Sequence, residues 1–323
     1  MPPMKLLASA FVTVASLFAC AASAAEARCD RSRDCLARTM DSYLQALLKH
    51  DPRQLATTRN IKYTENGVRL ALGDGLWQTA AAAPTYRLDI IDEEEGQVGL
   101  LGRINENGNN NWYGVRLKVE PDRRVSQIEV LIGRSITGGG GGNAGGAPPG
   151  QNTAPHPLMA EVIPAGKRLS RAELARISDA YFTGLDTEEN SKGIAFSPQC
   201  QRRENGTVTA NNPDARPGTM ASWDCKKQFD TGFSTIVTDI RERRFEVVDR
   251  TRGLAFGWGY FDHNGTVKTF TNTPDPKQVS EVASSFRQPF SFYLAEAFKI
   301  VDGQIRQIEA VLTTVPYQME SGW

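Results

Sequence analysis

Alternating apolar and polar positions near the end of the chain predict a β-hairpin that carries an unusual carboxylate. Two β-rich runs, 289–300 and 304–313, flank the pair Asp302-Gly303, and Asp-Gly is a strong hairpin signal. Successive side chains of a strand point to opposite faces. One face of the first run is therefore predicted to carry Phe290, Phe292, Leu294, Glu296, Phe298 and Ile300. The pattern thus places a glutamate, Glu296, in an apolar row.

Apolar positions at helical spacing predict one long helix at the start of each half of the chain. The first stripe is Leu36, Met40, Tyr43, Leu44, Leu47 and Leu48, and the second is Leu174, Ile177, Tyr181, Phe182 and Leu185. Ser170 and Glu173 form a capping box before the second helix. Strands are predicted at 61–65, 86–91, 97–104, 112–119, 125–132, 196–204, 243–249 and 254–261, in addition to the hairpin.

Short motifs recur in the two halves and indicate an internal duplication. Glu65-Asn66-Gly67 matches Glu204-Asn205-Gly206, and Gln127-Ile128-Glu129 matches Gln307-Ile308-Glu309. The spacing between the motifs is longer in the second half, which predicts insertions around 211–218 and 264–288. Two long copies are typical of a duplication and not of a solenoid, which needs more and shorter units.

Composition divides the chain into four segments. Residues 1–24 have the charged, apolar and small-residue regions of a secretory signal, so we expect a secreted or periplasmic protein without a membrane span. A faint lipoprotein box ending at Cys20 leaves lipidation open. Residues 25–136 and 166–323 are the two predicted domains, the second with a C-terminal tail. The linker between them, 137–165, is rich in Gly and Pro, and its part 137–157 is expected to stay flexible or extended.

Four cysteines follow the signal, and their placement predicts two disulfides. An even number in an exported protein favours disulfides, and three connectivities are open. Proximity favours Cys29–Cys35 and Cys200–Cys225, one pair in each half. There is no Cys-x-x-Cys pair, so neither a redox motif nor a zinc knuckle is supported.

Charge and motif content exclude several classes of function. Lys plus Arg and Asp plus Glu both number 37 and are interspersed, so no basic stripe for nucleic acid is present. The three histidines, His50, His156 and His263, share no ligand spacing, and His263 falls in a predicted turn. We therefore expect no metal and no cofactor.

The order of elements, a helix followed by a mostly antiparallel sheet, is an α+β pattern. Together with the final strand pair, 295–300 and 305–309, it resembles the nuclear transport factor 2-like superfamily, which includes ketosteroid isomerase and the SnoaL-like cyclases. The chain is most similar to uncharacterised exported proteins with two such domains. The resemblance implies two tandem cone-shaped domains, each a bent sheet packed on an N-terminal helix, with a pocket for a small organic molecule. The two sheets could pair within the chain, and a homodimer is also open.

Glu296 is the sharpest candidate for chemistry. Burial raises the pKa of a carboxyl group, which suits a general base. Alignment of the two strand pairs puts Val115 at the position of Glu296, so only the second half has this carboxylate. The alternative is a structural ion pair with Arg202, Arg203 or Arg244.

Further candidates surround this position. We expect a side chain of Arg202 or Arg203, or alternatively Tyr260, to stabilise an oxyanion, and His263 to act as acid or base. The expected ligand-binding residues are Arg202, Glu204, Phe256, Trp258 and Phe292, although the aromatic row 254–260 could simply be core. The sequence predicts a cofactor-independent acid–base enzyme: an isomerase, dehydratase or other lyase. The alternative is a non-catalytic ligand-binding or dimerisation module, which a pocket filled by its own aromatic side chains would favour.

Overall fold

The computed structural model describes residues 29–134, 152–186, 190–271 and 279–323. The predicted secretory signal and the glycine-rich start of the linker lie outside these residues. The architecture is α+β, with few helices and two large mixed sheets that curl. Within the described ranges no helix has both the length and the apolar character needed to cross a membrane.

The first half, residues 29–134, is one helix and a seven-stranded sheet. Helix α1 spans Arg33–Leu48, and the strands are β1 Thr57–Glu65, β2 Val68–Arg69, β3 Ala80–Ala82, β4 Arg87–Asp92, β5 Gln97–Glu106, β6 Asn109–Val119 and β7 Val125–Gly133. The strand order is β2-β1-β7-β6-β5-β3, and β4 also pairs with β5. Strand β1 runs parallel to β7, and the other pairs are antiparallel.

The second half, residues 166–323, repeats this plan with additions. Its helices are α2 Arg171–Asp186 and α3 Cys225–Phe229, and its strands are β8 Phe196–Glu204, β9 Thr207–Ala210, β10 Asp239–Asp249, β11 Leu254–His263, β12 Thr269–Thr271, β13 Val279–Glu281, β14 Phe290–Val301 and β15 Gln304–Val315. Six strands form a sheet in the order β10-β11-β14-β15-β8-β9, and β12 and β13 form a separate pair. Strand β8 runs parallel to β15, as β1 does to β7.

The repeated Glu-Asn-Gly motif has the same structural task in both sheets. The Asn66 side chain exchanges two hydrogen bonds with the main chain of Ile132, at 3.1 and 2.8 Å. The Asn205 side chain does the same with Leu312, at 3.0 Å in both directions. Both asparagines have positive φ, 48° and 44°, which asparagine tolerates better than most residues. The motif therefore fastens the end of the first strand to the last strand in each half.

The predicted helix faces, capping box and disulfides are confirmed. The apolar stripes of α1 and α2 are buried, except that Leu48 and Leu185 are only partly so. The Ser170 amide donates to Glu173 (3.0 Å), and the Glu173 amide donates to Ser170 Oγ (3.2 Å). Cys29 is bonded to Cys35 and Cys200 to Cys225.

The two sheets pack against each other through the faces that point away from α1 and α2. The resulting inter-sheet core contains Tyr86, Leu88, Ile90, Leu101, Trp112 and Leu131 from the first half and Phe256, Trp258, Tyr260, Tyr293, Ala295 and Val311 from the second. A Cβ at Gly99 would lie 2.6 Å from the Phe256 ring, so only glycine lets the ring pack there. The close contact between Gly99 and Phe256 is thus part of the packing that joins the two sheets.

A buried charge cluster crosses the same boundary. Glu129 of β7 accepts hydrogen bonds from Arg116 (3.0 Å) and from Arg244 of the second half (2.5 Å). The Tyr293 hydroxyl donates a further short hydrogen bond to the same carboxylate. Glu129 is completely buried, and these three partners compensate its charge.

The described end of the predicted linker, residues 152–165, is tied to both sheets by a buried side chain and by hydrogen bonds. Met159 is fully buried in the inter-sheet core, within the short 3₁₀ helix Pro157–Ala160. The His156 amide donates to Glu309 (2.7 Å), and the Ile163 amide donates to the Thr251 carbonyl (2.8 Å). The expectation of a flexible or extended chain for 137–157 stays a prediction: the described part, 152–157, has no regular structure before Pro157, and the buried Met159 lies beyond it.

Candidate functional site

A cavity of about 400 Å³ lies inside the second half, on the face of the sheet that packs against α2. Its walls are mainly apolar, and polar groups enter from α2, α3 and the strands. The apolar lining includes Leu185, Phe229, Phe233, Ile236, Phe261, Phe286, Phe292, Leu294 and Leu312, and the polar lining includes Tyr181, Arg202, Glu204, Thr209, Gln228, His263 and Glu296. An apolar cavity with a few polar groups is the usual form of a small-molecule site.

Segments that the first half lacks supply part of this cavity. Met220, Gln228, Phe229 and Phe233 come from the region between β9 and β10, and Phe286 precedes β14. Both regions lie at or beside the insertions expected from the motif spacing.

In the first half the corresponding interior is filled by aromatic side chains. Tyr43, Tyr63, Trp77 and Tyr113 are fully buried there. The Tyr113 hydroxyl donates to the Tyr43 hydroxyl at 2.9 Å, and the rings of Tyr43 and Trp77 pack edge to face at 5.7 Å. The two halves therefore share a plan but differ in their interiors.

Glu296 lies on the cavity wall without a partner. On the sheet it is flanked by Gly257 of β11 and Ala310 of β15, so no cross-strand side chain reaches over its carboxyl group. It is 3% exposed and makes no hydrogen bond or ion pair with any residue in the described ranges. Burial raises the pKa of Glu296 to about 8, the nearby Glu204 adds to the increase, and Arg202 opposes it. The group is therefore mainly a neutral acid at pH 7.

The expected arginine partners of Glu296 are all paired with other carboxylates. Arg202 Nε lies 3.2 Å from Glu204, Arg203 lies 3.7 Å from Glu309, and Arg244 lies 2.5 Å from Glu129. Arg202 also donates to Tyr181 (3.1 Å), Gln228 (2.7 Å) and Thr209 (3.0 Å). Its guanidinium is thus held in place at the cavity wall, and the structural ion pair that was the alternative for Glu296 does not form.

His263 is buried in a strand, whereas the sequence placed it in a turn. It is the last residue of β11 and pairs with Phe290 of β14, because the strand continues past the expected end at Phe261. The ring is stacked on Phe290 at 4.5 Å and also contacts Phe286 and Phe292. Its Nδ1 is 3.0 Å from the Phe261 carbonyl oxygen, and burial lowers the pKa of His263 to about 4.

The structure brings some of the expected site residues together and separates others. Glu296, Arg202, Glu204, His263 and Phe292 line the cavity. The cavity is not lined by the other four expected residues, Phe256, Trp258, Tyr260 and Arg203. The register explains the first three: Gly257 pairs with Glu296, so its neighbours Phe256 and Trp258 point to the opposite face, as does Tyr260.

These separated residues serve the boundary between the sheets. Tyr260 stacks on Tyr293 at 4.6 Å in the inter-sheet core. Arg203, next to Arg202 on β8, points away from the cavity towards Glu309 and the Ala154 carbonyl. An oxyanion role for Tyr260 or Arg203 beside Glu296 has no support in this geometry.

The sequence did not single out Tyr181, Thr209 and Gln228. Tyr181 belongs to the apolar stripe of α2, which marks it as core, although its hydroxyl reaches Arg202. Gln228 lies in α3, within a segment that shows no periodicity long enough to interpret. The signal for these residues was indirect: Arg202 lies in a predicted strand, and a guanidinium within a sheet needs hydrogen-bond acceptors around it.

One group of side chains has the spacing of a metal site but not its chemistry. Cys29, Asp30 and Cys35 offer ligand atoms within 4.8 Å of one another. The disulfide occupies both sulfurs, and thiolates are what a metal would need. These residues therefore do not fit a metal ion.

Comparisons with known proteins give two partial matches. A domain of unknown function, DUF8021, matches residues 167–312, a range that contains the whole described cavity lining. The chain is also similar to a solved NTF2-like protein of unknown function from Cytophaga hutchinsonii, with 12% identity, 30% of this chain and 88% of that chain covered, and a TM-score of 0.25. No curated protein matches the chain.

Proposed function

We propose that the second half binds a small organic molecule and that Glu296 performs acid–base catalysis on it without a cofactor. The reaction class is isomerisation, dehydration or another elimination. The observation that carries the proposal is a buried glutamate without a partner on the wall of a cavity of about 400 Å³. Leaving a polar group unpaired in an apolar interior is costly, and such groups cluster at functional sites.

The protonation state of Glu296 determines its role. With a pKa of about 8, the carboxyl group at pH 7 mainly donates a hydrogen bond or a proton. The ionised fraction, which grows as the pH passes 8, acts as the base. A group that titrates near the working pH can transfer protons in both directions, which suits an isomerase or a lyase.

Of the three candidates Arg202, Arg203 and Tyr260, we propose Arg202 as the group that stabilises negative charge on a substrate oxygen. Its guanidinium is fixed by Glu204, Tyr181 and Gln228 and lines the same cavity as Glu296. A positive charge held in place before the reaction stabilises a developing oxyanion without reorganisation.

The test combines crystal soaking with turnover. Crystals soaked in metabolite mixtures should show density in the cavity next to Glu296, and the identified compound should then be converted by the wild type. Glu296→Gln should bind the compound but lose about 100-fold or more in kcat/KM. The matched control is Glu281→Gln, which changes an exposed carboxylate of the same half.

Either of two results would count against catalysis at Glu296. Full turnover by Glu296→Gln would remove the residue from the mechanism. Density in the cavity without turnover of any bound compound would favour the non-catalytic binding module.

The first half has the properties of a non-catalytic module. Val115 stands where the second half has Glu296, and aromatic side chains fill the interior. We propose that it serves as the pairing partner of the second half, and that each half is a cone-shaped domain of the nuclear transport factor 2-like kind. Two disulfides and the signal-like start of the chain support the further proposal that the protein is exported.

Cutting the linker tests this division. A protease site engineered between Gly138 and Gln151 should, once cleaved, give two folded fragments that remain associated, because the inter-sheet core and the Glu129–Arg244 contact join them. Size-exclusion chromatography and circular dichroism of the nicked protein check this. Cooperative unfolding of either half after cleavage would show that the domain boundary is misplaced.

A further inference from the structure

Two polar groups stand at opposite ends of one wall of the cavity. His263 lies opposite Phe290 on β14, and Glu296 follows Phe290 by six residues on the same face. At the rise of a β-strand this puts their Cα atoms roughly 20 Å apart. Phe292 and Leu294 of the same strand lie between them and line the cavity.

The His263 end offers a hydrogen-bond acceptor. A backbone carbonyl can only accept, so the hydrogen bond to the Phe261 oxygen fixes the proton on Nδ1. The neutral ring then carries its lone pair on Nε2, on the ring edge away from that carbonyl. Nε2 has no hydrogen-bond partner among the residues the structure describes, and three phenylalanine rings hold the imidazole in place.

The Glu296 end offers a hydrogen-bond donor. The raised pKa keeps a proton on the carboxyl group at neutral pH. The neighbouring charges, Arg202 and Glu204, are paired with each other at 3.2 Å and cancel. This end therefore has no net charge left to compensate a ligand that is itself fully charged, although the fixed guanidinium still stabilises the partial charge that develops on the oxygen of a neutral ligand.

We infer that the ligand of this cavity is an elongated, mainly apolar, uncharged molecule with a carbonyl-type oxygen at the Glu296 end and a hydroxyl or N–H group at the His263 end. This inference rests on the proposed function, since it describes the ligand of the same site. The apolar middle of the molecule lies over Phe292 and Leu294. The two ends fix its orientation, because one end of the cavity donates and the other accepts.

Paired probe compounds test the inference on the wild-type protein. The probes are 4-acetyl-4′-hydroxybiphenyl, 4-acetylbiphenyl, which lacks the hydroxyl, and 4′-hydroxybiphenyl-4-carboxylate, which is anionic. Isothermal titration at pH 7 should show that loss of the hydroxyl raises Kd about tenfold. The Kd of the anionic probe, 4′-hydroxybiphenyl-4-carboxylate, should exceed that of 4-acetyl-4′-hydroxybiphenyl by at least the same factor.

The variant His263→Phe assigns the hydroxyl effect to one residue. Phenylalanine keeps the stack on Phe290 but removes the acceptor, so the ratio of the two acetyl probes should fall to about one. A thermal melt checks that the variant folds. If the variant does not fold, the ratio of the Kd values of the two acetyl probes on the wild type still tests the inference.

The possible failures are distinguishable. Binding of both acetyl probes with equal Kd in the wild type, or tighter binding of the carboxylate, would overturn the inference and leave the small-molecule cavity standing. Absence of binding by every probe, together with empty cavities in the soaked crystals, would overturn the proposed function and the inference with it.

Discussion

Glu129→Gln should lower the free energy of unfolding by about 3–5 kcal/mol, because it removes the fully buried carboxylate that Arg116 and Arg244 share. Their other acidic neighbour, Glu246, lies 2.7 and 3.6 Å away but is 35% exposed, so it compensates them less well. Glu129 is completely buried and lies 3.0 Å from Arg116 and 2.5 Å from Arg244. Burial by itself would raise the pKa of Glu129, but Arg244 and then Arg116 outweigh it and hold the pKa below the usual value. The carboxylate is therefore charged in the folded protein, and glutamine cannot replace the charge.

Urea denaturation at pH 7 measures this effect. The exposed substitution Glu95→Gln is the matched control and should change the free energy of unfolding by less than about 0.5 kcal/mol. Because Arg244 belongs to the second half, Glu129→Gln should also weaken the association of the nicked halves. A loss below about 1 kcal/mol would show that the cluster is not what joins the two sheets.

Glu296→Gln should raise the free energy of unfolding, whereas Glu129→Gln lowers it, and the size of this increase should depend on pH. The pKa of Glu296 is about 8 in the folded protein, against an ordinary value of 4.5. Below pH 4.5 the group is protonated in both states and has no effect. Between 4.5 and 8 the unfolded chain releases the proton while the folded chain keeps it, so the wild type loses stability as the pH rises. Above 8 the loss is complete.

Glutamine does not titrate, so the stability of the variant relative to the wild type rises as the pH increases. The difference in the free energy of unfolding should grow by roughly 3–5 kcal/mol between pH 5 and pH 8.5. Urea denaturation at pH 5, 7 and 8.5 and constant ionic strength checks this. A difference that stays flat, or that falls with pH, would mean that Glu296 is charged and compensated in the folded state.

These two glutamates show how far the sequence alone reaches. Alternation along β14 was enough to place Glu296 on an apolar face, and the helix stripes and cysteine spacing predicted α1, α2 and both disulfides. Whether a buried glutamate is paired depends on residues far away in the chain. Glu129 forms an ion pair with Arg244, whereas Glu296 has no such partner because Arg202 is paired with Glu204. No local sequence pattern distinguishes the two glutamates.

Strand β11 shows the second limit. Its periodicity separates Phe256, Trp258 and Tyr260 from the glycine face, but both faces of the strand are buried. Apolarity therefore cannot tell which face lines the cavity and which contacts the other sheet. The register with β14 decides, and register is a non-local property.

His263 shows the third limit. The sequence Asn264-Gly265 predicts a turn, and for that reason the predicted strand ended at Phe261. Gly265 lies in a bend, and the Thr266 amide donates to Asn264 Oδ1 at 3.0 Å, yet pairing with Phe290 extends β11 to His263 and buries the ring. A short sequence signal is thus overridden by the partner strand.

The most direct test of the account is the titration of Glu296 itself. The carboxyl carbons of glutamate can be labelled with ¹³C and followed by NMR from pH 4 to 10, and subtraction of the Glu296→Gln spectrum identifies the resonance. A neutral carboxyl group buried without a partner on the cavity wall predicts a midpoint near pH 8. A midpoint at or below the ordinary value of 4.5 would show a charged, compensated glutamate and would contradict the account.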